Sequence, residues 1–182
     1  MKIKPYIITF SNNTLFGTNN DKKLIYNILY DFYINSNLWQ KPEVITKLSD
    51  IIYSNNIILI YFSGHANKKG ELILKNKKIN YNIFKKYDNI YFIIDTCYSK
   101  KFIPTTTNSK NIFFIVSSND KQKSKEVLKN DKPVSIFTYW FVKILTHKKY
   151  YNISDWKLIL EHPVWNMVEK MYDQTIYYKE FI

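Results

Sequence analysis

The sequence contains no arginine and only one cysteine, and each scarcity argues against a class of protein. All 27 basic residues are lysines, so no guanidinium group is present to read guanine edges in nucleic acid. The single cysteine, Cys97, cannot form an internal disulfide. The chain therefore fits a reducing, cytoplasmic compartment better than the class of secreted, disulfide-stabilised domains.

Long apolar segments are also missing. The longest uninterrupted aliphatic or aromatic run, Ile57 to Phe62, is far shorter than the roughly 20 residues that a membrane-spanning helix needs. Met1 to Pro5 are not followed by an apolar segment with a small-residue cleavage site, so no secretory signal is expected. With 182 residues, 46% of them hydrophobic, the sequence predicts one globular domain and no membrane partner.

The lysines give the chain a formal net charge of +12, for which two interpretations stay open. Lys, Asn, Ile, Tyr and Phe are all frequent and all have A/T-rich codons, so an A/T-rich genome can explain the excess. Lysines also bind phosphate backbones through counterion release. Because they are scattered rather than gathered in one block, non-specific anion binding stays open and no sequence-specific nucleic-acid partner is expected.

Short apolar runs alternate with amphipathic segments, which is typical of an α/β domain. Buried strands are predicted over residues 5–10, 57–62, 90–94 and 112–116, with a brief strand over 71–74. Helices are predicted over residues 21–34, 42–52, 81–86, 135–145 and 154–171, the last one broken or bent near Pro163. Residues 117–133 are predicted to form an exposed loop. We expect a three-layer sandwich in which helices flank a mostly parallel central sheet.

Two of the predicted strands end in residues that can carry chemistry. Ser63-Gly64-His65-Ala66 follows one strand, and Asp95-Thr96-Cys97-Tyr98-Ser99 follows another. The carboxyl ends of parallel strands share one edge of a sheet, so His65 and Cys97 can meet if these strands are neighbours. A thiol beside an imidazole forms a nucleophile and base pair. The alternative is a small buried thiol and a histidine that only caps a strand end.

The two segments resemble the Ser-Gly-His-Gly and Asp-x-Cys-x-Ser-Gly motifs of metacaspases, a group of caspase-like cysteine peptidases. Three further segments are similar to metacaspase motifs and follow in the same order along the chain. They are Leu15-Phe16-Gly17-Thr18-Asn19-Asn20-Asp21, the run from Ser117 to Glu126, and Ser135-Ile136-Phe137-Thr138. The resemblance covers about residues 5–146, and it implies a caspase-like fold. No prodomain is expected, because the first predicted strand begins almost at Met1.

The resemblance also implies a role for each matching residue. His65 is expected to be the general base and Cys97 the nucleophile of a cysteine endopeptidase that works through an acyl-enzyme. The backbone amides of Ala66 and Cys97 are expected to form the oxyanion hole. Asp21, Ser63 and Asp95 match residues that bind a Lys or Arg side chain at P1, although Asp21 could be a simple helix N-cap, or both. True caspases hold a P1 aspartate with arginines, which this chain lacks.

The same comparison implies an organisation and a location. A large-subunit-like part is expected over about residues 1–118, a lysine-rich loop over about 119–133, and a small-subunit-like part over about 134–182. The protein is expected to be a cytoplasmic monomer, in the host cytoplasm if a virus encodes it, and to act on proteins or peptides with a basic P1 residue. Lysines in the loop would also suit self-cleavage.

Departures from the metacaspase pattern leave a second function open. Ala66 and Lys100 replace glycines, Thr18 stands where many metacaspases have cysteine, and only 32 positions separate His65 from Cys97. A catalytically weak or inactive caspase-like module that binds a protein partner is therefore the alternative. No acidic residue occurs from Tyr98 to Lys110, so calcium dependence is not expected, and no CxxC or HExxH spacing predicts zinc.

Overall fold

A six-stranded central sheet organises the chain in a computed structural model that describes residues 1–10, 17–52, 55–75 and 77–182. The strands, in chain order, are β1 (Ile3–Thr9), β2 (Glu43–Val44), β3 (Ile57–Ser63), β4 (His65–Ala66), β5 (Leu72–Leu74), β6 (Lys77–Ile79), β7 (Ile90–Asp95), β8 (Ile112–Val116), β9 (Glu126–Lys129), β10 (Lys132–Ser135) and β11 (Tyr177–Phe181). The central sheet has the order β11-β8-β7-β3-β1-β2. All its neighbouring pairs are parallel except β11 with β8.

Helices cover the two faces of this sheet unequally. The α-helices are α1 (Thr18–Asn35), α2 (Ile136–Lys148) and α3 (Val164–Tyr172), and the 3₁₀ segments are Leu48–Asp50, Tyr81–Phe84, Ser99–Phe102 and Ile153–Glu161. All three α-helices and the last 3₁₀ segment pack on one face, in the apolar cluster that contains Ile25, Phe141 and Trp156. The other face is covered by the remaining 3₁₀ segments and by the small sheet β4-β5-β6.

The predicted fold class, a mostly parallel sheet flanked by helices, is confirmed. The strands form where the sequence has continuous β-branched and aromatic runs, because residues on both sides of a central parallel strand are buried. The β5 strand lies within the brief strand predicted over 71–74. Helix α1 buries Ile25, Ile28, Leu29 and Phe32, whose spacing gives one helical face.

The helix predicted over residues 42–52 is wrong. Residues 43–44 form β2, which pairs with Tyr6 and Ile7 of β1, and only Leu48–Asp50 is helical, as a 3₁₀ turn. Ile45 and Ile51 are buried, whereas Val44 and Ile52 are 47% and 65% exposed. The apolar residues of this segment therefore do not share one buried helical face, and completing the edge of the sheet stabilises an extended chain instead.

The structure divides the last predicted helix, places strands in the predicted loop and adds one strand at an edge of the sheet. The last predicted helix is broken near Pro163, as expected, into a 3₁₀ segment that ends at Glu161 and α3, which begins after Pro163. The predicted loop over 117–133 contains β9 and the start of β10, joined at Asn130 and Asp131, which both have positive φ, as a tight hairpin requires. The sequence analysis did not predict β11, which closes one edge of the sheet.

Candidate functional site

The strand register brings the two predicted catalytic segments to the same edge of the sheet. In the parallel pair β3 and β7, Ser63 lies opposite Asp95, and the Gly64 amide donates a hydrogen bond to the Asp95 carbonyl at 3.3 Å. His65 lies two positions after Ser63, and Cys97 lies two positions after Asp95. Both side chains are half-buried, so they are set at the rim of the fold rather than inside the core.

The chain turns sharply directly after Cys97. Tyr98 has a left-handed backbone conformation with φ 57°, which is uncommon for a bulky residue and marks a tightly held turn. Its amide donates to the Gln122 carbonyl at 2.9 Å. Buried Ser99 and Ser118 exchange hydrogen bonds on the other side of the turn, at 2.9 and 3.0 Å between amide and hydroxyl. The position of Cys97 is therefore fixed by β7 and by the chain after β8.

The predicted oxyanion-hole amide of Ala66 lies in the short antiparallel pair β4 and β5. Ala66 is opposite Leu72, and the neighbouring Asn67 amide donates to the Glu71 carbonyl at 3.0 Å. Hydrogen-bonded and non-hydrogen-bonded pairs alternate along an antiparallel ladder. Ala66 therefore occupies a non-hydrogen-bonded position, and its N–H points away from β5. This orientation is compatible with donation to a substrate oxygen.

Burial favours the neutral forms of both candidate residues, His65 and Cys97. It raises the pKa of the Cys97 thiol, and the negative charge of Asp95 acts in the same direction, whereas the Ser124 amide and the Lys123 charge lower it. Burial lowers the pKa of the His65 imidazole, against a smaller upward effect of Glu126. The direction of the His65 shift favours the neutral imidazole, in which one ring nitrogen is unprotonated and can accept a proton as a base.

The three predicted substrate-binding residues are brought together, but beneath the surface. Asp21, Ser63 and Asp95 are 1%, 2% and 3% exposed. The Ser63 hydroxyl donates to the Asp21 carboxylate at 2.9 Å, and the amide of Ser135 donates to its other oxygen at 2.9 Å. Asp21 lies in the first turn of α1, whose N-cap is Gly17, so the interpretation of Asp21 as an N-cap is wrong.

Asp95 is held by hydroxyl groups that the sequence analysis did not single out. Ser124 donates to one carboxylate oxygen at 2.9 Å and Thr138 to the other at 2.5 Å, and the Thr138 hydroxyl also contacts the Tyr61 hydroxyl at 2.6 Å. Ser124 and Thr138 lie in segments that resemble metacaspase motifs. Nothing in their spacing shows that they turn toward Asp95, because the contacts join residues 29 and 43 positions apart.

The two carboxyl groups form a buried acidic pair. Burial raises the pKa of Asp21 well above its ordinary value, and the charge of Asp95 adds to the rise. Burial likewise raises the pKa of Asp95, against the hydrogen bonds from its hydroxyl partners. Within residues 1–10, 17–52, 55–75 and 77–182, the only ion pair joins Lys4 and Glu43, so no lysine neutralises either carboxyl group.

Glu126 connects the first helix to this site. Its carboxylate accepts a hydrogen bond from the Gly17 amide at 2.9 Å, and a Cβ on Gly17 would lie only 2.4 Å from the same oxygen. A side chain at position 17 would therefore displace the end of the Glu126 side chain from the Gly17 amide. Leu15 and Phe16, which open the metacaspase-like segment that contains Gly17, lie outside the described residues.

No metal-binding cluster is found where the structure describes the chain. Those residues contain no group of three or more His, Cys, Asp or Glu side chains that could hold a metal ion. They also contain no helix that is long and apolar enough to cross a membrane.

The structure is similar in fold to the crystal structure of caspase-1 from Spodoptera frugiperda. The superposition has a TM-score of 0.64, at 13% sequence identity, and covers 98% of this chain and 86% of that one. The chain has a caspase-like fold. No family model matches the sequence, and no curated protein matches it significantly. At this identity the likeness establishes the caspase-like fold alone.

Proposed function

We propose that this protein is a cysteine endopeptidase of metacaspase type that uses His65 and Cys97 to cleave peptide bonds after lysine or arginine. The observation that carries the proposal is the register of β3 and β7. In this register Ser63 lies opposite Asp95, so the segments that carry His65 and Cys97 both begin at the carboxyl ends of two adjacent strands. The caspase-like fold supports the proposal at the level of the fold, because functional groups of open parallel sheets collect at the carboxyl ends of the strands, where both segments begin.

In the proposed reaction, the His65 imidazole takes the proton of the Cys97 thiol as sulfur attacks the scissile carbonyl carbon. The Ala66 and Cys97 amides stabilise the negative charge that develops on the carbonyl oxygen. The imidazolium then protonates the departing amine, and the C–N bond breaks to leave a thioester on Cys97. His65 then takes a proton from water, which attacks the thioester and releases the carboxylate product. The imidazolium returns the proton to the Cys97 sulfur.

The buried pair Asp21 and Asp95 supports the proposed choice of a basic P1 residue. Burial raises the pKa of both carboxyl groups despite the hydrogen bonds that they accept, so their charged forms are disfavoured in the free protein. The ammonium of a substrate lysine, or an arginine guanidinium, would supply the missing positive charge. A P1 aspartate would add a third negative charge to the same place. Ser63, which donates to Asp21, would help to orient the pair.

A panel of fluorogenic peptides that differ only at P1 tests this function. We expect Lys and Arg peptides to be hydrolysed at least about 100-fold faster in kcat/KM than Gln or Asp peptides, because buried charge pairing discriminates strongly. Equal turnover of the Asp and Lys peptides would contradict the assignment of Asp21 and Asp95 to P1 binding. Absence of turnover for every peptide would contradict the proposal that the protein is a peptidase.

One observation favours the alternative, a catalytically weak module that binds a protein partner. The carboxyl groups are covered by Ser124, Ser135 and Thr138, so a substrate side chain has to displace these contacts before it reaches them. A cysteine-directed peptidyl probe with lysine at P1 distinguishes the two functions. Labelling of Cys97 supports the peptidase, and retained partner capture without labelling supports the binding module.

We also propose that activity does not depend on calcium. Calcium prefers six to eight oxygen ligands, and the described residues provide no cluster of carboxylates that could hold it. Hydrolysis of a Lys-P1 peptide should therefore be the same within about twofold in excess EGTA and in millimolar Ca²⁺. A rise in kcat/KM of tenfold or more on adding Ca²⁺, reversed by the chelator, would overturn this.

A further inference from the structure

Three lysine-bearing turns converge around the candidate site. The first turn follows His65 and carries Lys68 and Lys69, the second follows Cys97 and carries Lys101, and the third follows β8 and carries Lys121 and Lys123. All five side chains are exposed. We call Lys68, Lys69, Lys101, Lys121 and Lys123 the lysine rim.

The first two turns are in direct contact. The Lys101 ammonium donates to the Lys68 carbonyl at 2.9 Å. Gly70, at the end of the first turn, has φ 79°, and a Cβ there would lie only 2.4 Å from the Cβ of Lys101. This close backbone approach requires glycine and holds the Lys68 and Lys69 turn against the chain that leaves Cys97.

The third turn reaches the nucleophile from the other side. The Gln122 carbonyl accepts the hydrogen bond from the Tyr98 amide, so the lysines on either side of Gln122 flank the Cys97 turn. Burial raises the pKa of the Cys97 thiol, and the nearby charge of Lys123 opposes that rise. Gln122 is itself held by the amide of Thr175 at 2.9 Å, which fixes the position of this turn.

The lysine rim is not neutralised by the protein. Lys4 and Glu43 form the single ion pair in the described parts of the chain, so none of the five rim lysines has an acidic partner there. The acidic residues on the same turns are Glu71 and Asp120, and the Glu71 carboxylate accepts a hydrogen bond from the Asn67 side chain at 2.6 Å. Exposed positive charge therefore surrounds a site whose buried interior is acidic.

We infer that the lysine rim binds acidic residues that flank the basic P1 residue of the substrate, an inference that rests on the proposed function. The buried carboxyl pair selects a cation at one position, and the unpaired rim lysines attract anions at the neighbouring positions. Like-charge repulsion at the rim discourages peptides with several adjacent lysines. The preferred substrate class is therefore a peptide segment with one basic residue among aspartates and glutamates.

Matched peptides and a matched lysine variant test this inference. Three Lys-P1 peptides carry Glu, Gln or Lys at the flanking positions, and kcat/KM is measured at low and high salt. We expect the Glu-flanked peptide to exceed the Gln-flanked one by about tenfold at about 0.05 M salt and to lose most of that advantage at about 0.5 M, where charges are screened.

The rim variant K68Q/K69Q/K101Q should reduce the preference for Glu flanks to about twofold or less. The control K85Q/K86Q/K110Q removes the same charge from exposed lysines near the amino ends of β7 and β8, at the opposite edge of the sheet, and should keep the preference. Equal loss in both variants would overturn the inference, since net charge rather than the rim would then be responsible. An unchanged preference in the rim variant would overturn it as well.

Binding to the Cys97→Ala protein separates this inference from the proposed function. Fluorescence anisotropy of labelled peptides should show tighter binding of Glu-flanked than of Lys-flanked peptides, and the rim variant should abolish the difference. Such binding without hydrolysis of any peptide by the intact protein would support the rim and contradict the peptidase. Hydrolysis of Lys-P1 peptides without a preference for Glu flanks would support the peptidase and contradict the role of the lysine rim. Binding of a single-stranded oligonucleotide, but of no acidic peptide, would overturn the peptide assignment.

Discussion

Replacing Cys97 with serine is expected to lower kcat/KM for a Lys-P1 peptide by at least about 10⁴-fold. A hydroxyl is a far weaker acid than a thiol, and burial lowers the pKa of the His65 imidazole that would have to deprotonate it. His65→Ala should cause a loss of similar size, and the double variant should be no worse than either single variant, because the two residues act in one proton transfer.

Folding controls make the Cys97 result interpretable. Cys97 is half-buried and serine has a similar shape, so the unfolding midpoint should change by only a few degrees. Because Cys97 is the only cysteine, an alkylating reagent reports on this residue alone. Retained hydrolysis in the Cys97→Ser protein, with an unchanged midpoint, would show that the dyad is not the catalytic group.

Replacing Asp21 with asparagine is expected to lower kcat/KM for Lys-P1 and Arg-P1 peptides by about 100-fold, because the substrate cation loses one of two buried partners. The local hydrogen bonds can persist. The asparagine oxygen can accept from the Ser135 amide, and its NH₂ group can donate to the Ser63 hydroxyl. Thr138→Ser, which keeps the hydroxyl bound to Asp95, is a conservative control and should retain activity within about threefold.

The stability of the Asp21→Asn protein distinguishes substrate binding from a structural role. The raised pKa of Asp21 means that its contribution to folding is most favourable at acid pH, below the ordinary carboxyl value, and is lost as pH rises through the raised value. Asparagine carries no charge, so the variant avoids the free-energy cost of burying an ionised carboxylate at neutral pH. It should therefore be at least as stable as the natural protein at pH 7, and this advantage should disappear on acidification. A large loss of stability together with the loss of activity would assign Asp21 a structural role instead.

Several features of the fold could be predicted because they depend on local sequence. The runs Ile57 to Phe62 and Ile90 to Ile94 are long enough and apolar enough to be buried on both faces of a sheet, and both form central strands. Helix α1 followed from the spacing of its buried residues. Residues 42–52 show where prediction from local sequence fails. Their apolar spacing suits a helix, but Glu43 and Val44 pair with the free edge of β1 and extend the sheet.

The candidate site divides in the same way. The positions of His65 and Cys97 at strand ends followed from the chain itself, and their catalytic roles stay a prediction. The sequence did not show that the carboxyl groups of Asp21 and Asp95 are nearly inaccessible, or that Ser124 and Thr138 bind Asp95, because such contacts join residues far apart in the chain.

The sequence by itself determined the α/β class, the central strands and the edge at which a thiol and an imidazole emerge, since hydrophobic runs and strand ends are local properties of the chain. Only the tertiary structure decided which strands are neighbours, which hydroxyl groups surround the buried acidic pair, and how three lysine-bearing turns meet around Cys97. Burial and charge at a site depend on packing between distant segments, and it is packing that raises the pKa values of the two aspartates.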